Sequence, residues 1–269
     1  MLLANVFAIR QSFVMLGVCE WETAMSLTAL TRNALRHVRS HGIRNSVQYA
    51  FHWYSEQRLE RYFGIRTSGH VDLESVGVSN RDSVTYAAVP YAGLFLALRC
   101  APAEHLAGVY VDYGAGMGRA VIVAATYAFR RVIGVELSDK LADRARVNIK
   151  AASRRLMCPA IEIVTCDAKQ YALPEDSTVV HLYNPFMGNT LQQVVMNIRD
   201  SLERNPRCLT LLFAVPWHFE KLLKEPSIFP PGWIIDTKDV LWPHHSYSDP
   251  NGNRYRVYSF DSRTTATDR

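Results

Sequence analysis

Cysteine is scarce and scattered. Cys19, Cys100, Cys158, Cys166 and Cys208 are dispersed over 269 residues, with no C-x-x-C pair and no nearby histidine at ligand spacing. This argues against a zinc site and a disulfide framework and fits a reducing, cytoplasmic setting. Cys166 is read as a small core residue. No metal site is predicted. Also missing is any run of roughly 18–20 apolar residues, the length of a membrane span. Met1–Val18 is rather apolar, but Asn5, Arg10, Gln11 and Ser12 interrupt it. It has no basic start or small-residue cleavage site, so an amphipathic helix or a start codon placed too early is preferred to a signal peptide. There is no internal repeat, and only the last few residues carry the bias of disorder. With 48% hydrophobic and 20% charged residues, the chain is long enough for one full-sized domain plus an extension.

Residues 1–85 form a basic helical N-terminal extension by pattern. Segment 26–66 holds seven arginines against two glutamates, a balance of +5 that equals the net charge of the whole chain. Leu27, Leu30, Leu35 and Val38 have the spacing of an amphipathic helix, as do Tyr49, Trp53 and Tyr54. Two uses are open. The helices cap the following domain with a solvated face, or they form a footprint for nucleic acid, anionic lipid or an acidic protein. The first is preferred, because basic helices need no ligand.

From residue 86 to 261 the pattern becomes a regular alternation. Strands are expected near 109–113, 131–136, 161–165, 178–183 and 208–214, with amphipathic helices over 90–99, 117–128, 139–152 and 189–204. Such units build a doubly wound parallel sheet with right-handed crossovers. After residue 230, segments 233–242 and 254–260 read as two strands joined by a polar turn at 248–252. Residues 262–269 are expected to be a disordered tail.

The chemistry begins at Val109-Tyr-Val-Asp-Tyr-Gly-Ala-Gly-Met-Gly118. An apolar strand ends in an acid, turns through Gly114, Gly116 and Gly118, and opens a small-residue helix. Glycine tolerates positive φ and has no Cβ, so main-chain N–H groups there can come close to a ligand. A dinucleotide fingerprint needs G-x-G-x-x-G, and here its third glycine is Arg119. Asp112, two residues before the first glycine, suits a cationic amino group better than a pyrophosphate. The bland alternative is a tight strand-to-helix turn of any α/β protein. Successive strand ends then deliver Glu136, Asp167–Ala168 and Asn184–Pro185–Phe186 to one sheet edge. Two carboxylate oxygens at Glu136 can accept both hydroxyls of a ribose.

This series resembles the class I S-adenosylmethionine-dependent methyltransferase family, from about Tyr86 to Phe260. The resemblance implies a Rossmann-like, mostly parallel seven-stranded sheet with a C-terminal β-hairpin, and S-adenosyl-L-methionine as cofactor. It implies that Asp112, Gly114, Ala115, Gly116 and Gly118 lie beneath the methionine part of that cofactor. Glu136 would hold the ribose, Leu137 would pack on the adenine, and Asp167 and Ala168 would meet its edge. Asn184 would lie beside the reactive methyl, and Tyr86 and Tyr91 would close over the methionine end. With Glu60–Gly69, the motifs VDYGAGMGRA and YNPF resemble a bacterial subgroup. Methyltransferases acting on adenine or glutamine amides carry Asn-Pro-Pro-Tyr, whereas this chain has Asn184-Pro185-Phe186-Met187, so their substrate class does not carry over.

On the acceptor side, Tyr183, Asn184, Phe186, Trp217 and His218 stand at the ends of the fourth and fifth strands, and His244 and His245 could approach from the hairpin. Asn184 is the catalytic candidate of choice, since its amide oxygen can accept a hydrogen bond from an amine and orient the lone pair. Its bland alternative is an Asn-Pro turn. His218 is a candidate base, against the commoner role of a wall residue. The reading is thus methyl transfer to an acceptor nitrogen, such as one on a protein or peptide side chain. Its rivals are an NAD(P)-dependent oxidoreductase and a non-catalytic nucleoside-binding module with a basic RNA- or lipid-contacting extension.

Overall fold

A computed structural model describes residues 27–71, 76, 82–225, 228–242 and 254–263. Met1–Val18, Cys19, His244, His245 and the 248–252 turn lie outside them. The chain divides into two compact units, Met1–Ala50 and Phe51–Arg269. The described part of the first unit is helical. Helix α1, Leu27–Phe63, runs from the first unit into the second, and Gly42 inside it departs from helical geometry at φ 77 and ψ 164.

The second unit is built on seven strands: β1 (Val109–Tyr113), β2 (Arg131–Glu136), β3 (Ile161–Thr165), β4 (Ser177–Tyr183), β5 (Cys208–Ala214), β6 (Ile234–Leu241) and β7 (Arg254–Asp261). Their spatial order is β3-β2-β1-β4-β5-β7-β6. The first five are parallel. Strand β7 inserts antiparallel between β5 and β6, closing the sheet with a hairpin. This is a doubly wound, mostly parallel seven-stranded Rossmann-like sheet with a C-terminal hairpin, and the strand boundaries agree with those expected from sequence to within a residue or so.

Every residue of β1 is buried, as a central parallel strand covered on both faces requires. Tyr110 faces a core shared with helices α2 (Tyr91–Leu98), α3 (Arg119–Ala124) and α4 (Asp139–Ala152). Val109, Val111 and Tyr113 face the opposite core, under α5 (Gly188–Arg204) and α6 (Trp217–Leu222). Strand alternation alone therefore sends one element's side chains into two cores. Ser138 caps α4, and the acidic Asp139 opens it, both favourable at a helix N-terminus.

Candidate functional site

The ends of β1, β2 and β4 meet the segment 83–89 around a cleft of about 910 Å³, counted out to open solvent. Its lining includes Tyr86, Asp112, Gly114, Ala115, Gly116, Glu136, Leu137, Asp167, Ala168 and Asn184. Ten of the residues named from the sequence are thus brought together.

The glycine turn differs from the sequence expectation in one respect. Its N–H groups are already used: Gly114 and Ala115 both donate to Val135 O, and Gly118 donates to Ala115 O, at 2.8–2.9 Å. Gly116 donates to Glu136 Oε2 at 2.7 Å. The turn therefore offers bare Cα surface rather than four free donors. All three glycines have positive φ. A Cβ at Gly114 would strike Pro185, and one at Gly116 would strike the ring of Tyr86. Gly118 does not line the cleft; it caps α3 in the left-handed conformation and sits against Ala145 of α4. Its role is close helix packing. Gly116→Ala is expected to weaken cofactor binding by about 10-fold, some 1.4 kcal/mol, through displacement of Tyr86. Titration calorimetry would check this, and a wild-type Kd would mean that the ring moves aside freely.

Three carboxylates stand on the cleft wall. Asp112 Oδ1 lies 2.7 Å from His181 Nδ1, and His181 Nε2 lies 2.8 Å from the Tyr255 hydroxyl. A carboxylate only accepts, so Nδ1 carries the proton, and a neutral ring then accepts the Tyr255 hydroxyl at Nε2. The adjacent register of Asp112 and His181 on β1 and β4 builds this pair. Glu136 Oε1 accepts from Ser138 N at 2.9 Å. Burial pushes the Glu136 carboxyl up, opposed by its bonds from Ser138 and Gly116. Asp167 caps the turn Ala168–Gln170 through Lys169 N at 2.9 Å and pairs with Lys169 Nζ at 3.4 Å. Leu137 is 40% exposed at the rim, an apolar platform beside these acids.

A strap roofs the cleft. Val84 N donates to Pro185 O at 3.1 Å and Met187 N to Asp82 O at 2.8 Å, zipping 82–84 to the loop after β4. Asp82 Oδ2 also accepts from Thr190 N at 2.9 Å. The Tyr86 hydroxyl donates to Thr67 O at 2.7 Å, and burial raises its pKa.

Arg119, whose position disfavoured a dinucleotide fingerprint, is buried and spends all five of its donors. They go to Thr67 Oγ1, Glu56, Val89 O, Glu60 Oε1 and Ser68 Oγ. Its guanidinium lies 4.4 Å from the centroid of the Tyr91 ring. Two carboxylates claim this cation, so it is not a free phosphate anchor. Tyr91 supports Arg119 from the core rather than closing the cleft. His181, Tyr255, Glu56 and Thr67 were not singled out from the sequence. The E-x-x-x-E pair of Glu56 and Glu60 on one face of α1 was its only visible trace.

Asn184 lines the cleft with φ 44, and its side chain has no hydrogen-bond partner among the described residues. His218 is not in the lining. It sits on α6 with its ring centroid 3.4 Å from that of Trp217, and burial with the Lys221 charge lowers its pKa. Cys166 lines the cleft and is a free thiol. No group of ligands suited to a metal occurs among the described residues.

Geometry of this kind makes the cleft a candidate ligand site at the carboxyl edge of a doubly wound sheet. Residues 111–208 match a family model described as a methyltransferase domain. No curated protein matches the chain. Similar solved structures include an RNA methyltransferase from Salinibacter ruber in complex with S-adenosyl-L-homocysteine, at 21% identity over 65% of this chain and 93% of that one, with a TM-score of 0.42. Another is an O-methyltransferase from Bacillus cereus, at 16% identity over 65% and 82%, with a TM-score of 0.44. A TehB-like methyltransferase from Corynebacterium glutamicum has 17% identity over 77% and 97%, with a TM-score of 0.41. The matched stretch runs from β1 to the first residue of β5 and includes the glycine turn, Glu136, Asp167, Ala168 and Asn184.

Proposed function

We propose that the cleft transfers a methyl group to a nitrogen of an acceptor that enters beside Asn184. The carrying observation is this residue's left-handed backbone at φ 44 in the cleft lining, with an amide that takes no hydrogen bond from any described residue. Positive φ outside glycine is uncommon, asparagine being among the residues most often found there, and here it falls on the cleft wall.

S-adenosylmethionine, the cofactor expected from the sequence, fits the residues present. Asp112 suits an ammonium group, Glu136 two vicinal hydroxyls, Leu137 and Ala168 an aromatic base, and bare Gly114 and Gly116 a close-lying tail. Bound there, it would supply an electrophilic methyl on a sulfonium. The protein's own work is then to position the nucleophile. The Asn184 amide oxygen accepts an N–H and turns the lone pair toward the cleft, while Phe186 and the strap over residues 83–86 exclude water. Positioning of this kind supplies several kcal/mol of barrier reduction. A nitrogen that arrives neutral needs no base at the rim, so His218, off the lining, is dispensable. The free thiols of Cys100, Cys158, Cys166 and Cys208 agree with a cytoplasmic setting. No helix among the described residues is long and apolar enough to cross a membrane.

Transfer of a labelled methyl into fractionated lysate provides the assay. Asn184→Gly, which keeps the positive φ open, is expected to lower turnover by about 10²-fold with cofactor affinity nearly unchanged, and His218→Ala to leave both as they are. Full activity in Asn184→Gly, or a base-labile product such as a methyl ester, would refute the nitrogen assignment.

A further inference from the structure

The basic segment noted in the sequence acquires a definite shape on the second unit. Glu56 and Glu60, the two acids in 51–67, both turn inward to Arg119, so the outer face of this stretch carries no negative charge. Its cations are Arg58, Arg61 and Arg66. Arg66 pairs its backbone with Asn148 of α4 in both directions, at 3.3 Å, which brings up Lys150, Arg154 and Arg155. All six are exposed, and none has a carboxylate partner among the described residues.

Rings are interleaved with it. Phe51, Tyr54, Arg58, Arg61 and Tyr62 fall at i, i+3, i+7, i+10 and i+11, a single helical face. The rings are 73%, 40% and 53% exposed. The Arg155 guanidinium stacks 4.6 Å from the centroid of Tyr62, tying α1 to the end of α4. Five of the six cations are arginines, which bind phosphate in a fork and stack on π-faces.

We infer that this face binds single-stranded nucleic acid, with the arginines on phosphates and the rings of Tyr62, Tyr54 and Phe51 under bases. A lipid surface fits less well. An interfacial helix segregates its apolar residues from its charged ones, whereas here Arg58 stands between Phe51 and Tyr54 on the same stripe. None of the six cations lines the cleft, so the inference does not depend on what the cleft binds or methylates.

The test is fluorescence anisotropy of a labelled single-stranded RNA of roughly 20 nucleotides with the full-length protein, across a salt series. Binding is expected with a log–log salt slope of about −3 to −4, from four to six phosphate contacts at about 0.7 each. R61Q/R155Q should lower affinity at least about 10-fold and flatten the slope by about 1.4. Tyr62→Ala should cost about 5-fold or more at unchanged slope, since stacking is not screened by salt. Cofactor affinity should remain unchanged in both variants, which marks them as folded. No binding at low salt, or binding indifferent to these variants, would overturn the inference. Equal or tighter binding to phosphatidylserine vesicles or polyglutamate would overturn it as well.

Discussion

Arg119→Met is expected to cost about 3–5 kcal/mol of folding free energy, the usual penalty for removing one partner of a buried ion cluster. The argument is one of satisfaction. Five guanidinium donors meet five acceptors, among them two carboxylates that are nearly buried themselves. Methionine fills similar volume but leaves Glu56 and Glu60 facing each other without a cation. Even beside Arg119, burial already pushes the Glu56 carboxyl above its ordinary 4.5.

The sign of the pH dependence follows. A group whose folded pKa is raised contributes stability that is present below its unfolded pKa and lost as pH rises through the folded one. Removing Arg119 removes the charge that opposed this rise. The variant should therefore lose stability more steeply than the wild type between about pH 5 and pH 8. Urea midpoints at the two pH values measure the effect. R119M/E56Q/E60Q should recover much of the loss, because the buried charges leave together. A variant within about 0.5 kcal/mol of wild type at both pH values would show that the cluster contributes little.

The same cluster indicates what a sequence can and cannot disclose. The parallel strands were legible because buried strands are continuous apolar runs, and four of the five here stop at a polar residue, as in Val132-Ile-Gly-Val-Glu136. The hairpin was legible because its period changes from that of the preceding units. Pairings across the sheet were not. His181 sits in the run Val-Val-His-Leu-Tyr like any core position, and only the adjacency of β1 and β4 places it against Asp112. Arg119 was noticed for what it is not, a third glycine. Its partners are 30–63 residues earlier in the chain, a separation that no local period encodes. The occupied N–H groups of the glycine turn were invisible for a similar reason. They depend on Val135 and Glu136 of the neighbouring strand, not on the motif that makes the turn possible.

Those occupied donors make Glu136 the residue on which the cleft depends most. One of its oxygens holds Gly116 N and the other Ser138 N, so the carboxylate joins the glycine turn to the entry of α4 while keeping further lone pairs for a ligand. We expect Glu136→Ala to weaken S-adenosylmethionine binding by about 10²-fold or more, the loss of two charge-assisted bonds of about 1.5–3 kcal/mol each. Glu136→Gln should be little better than alanine, because its NH₂ would face a backbone N–H that is itself a donor. The elevated Glu136 carboxyl separates two effects by sign. As pH falls toward a folded pKa above 4.5, protonation should weaken cofactor affinity, since the neutral acid accepts hydroxyls poorly. It should also strengthen the ligand-free fold, since a raised folded pKa favours the protonated state. Calorimetry for affinity and urea melts for stability, both followed between about pH 5 and 8, should therefore move in opposite directions in the wild type. In Glu136→Gln this residue's contribution to both trends should vanish. Retained affinity in Glu136→Ala would mean that the ribose lies elsewhere and that this carboxylate serves only to tie β2 to the turn.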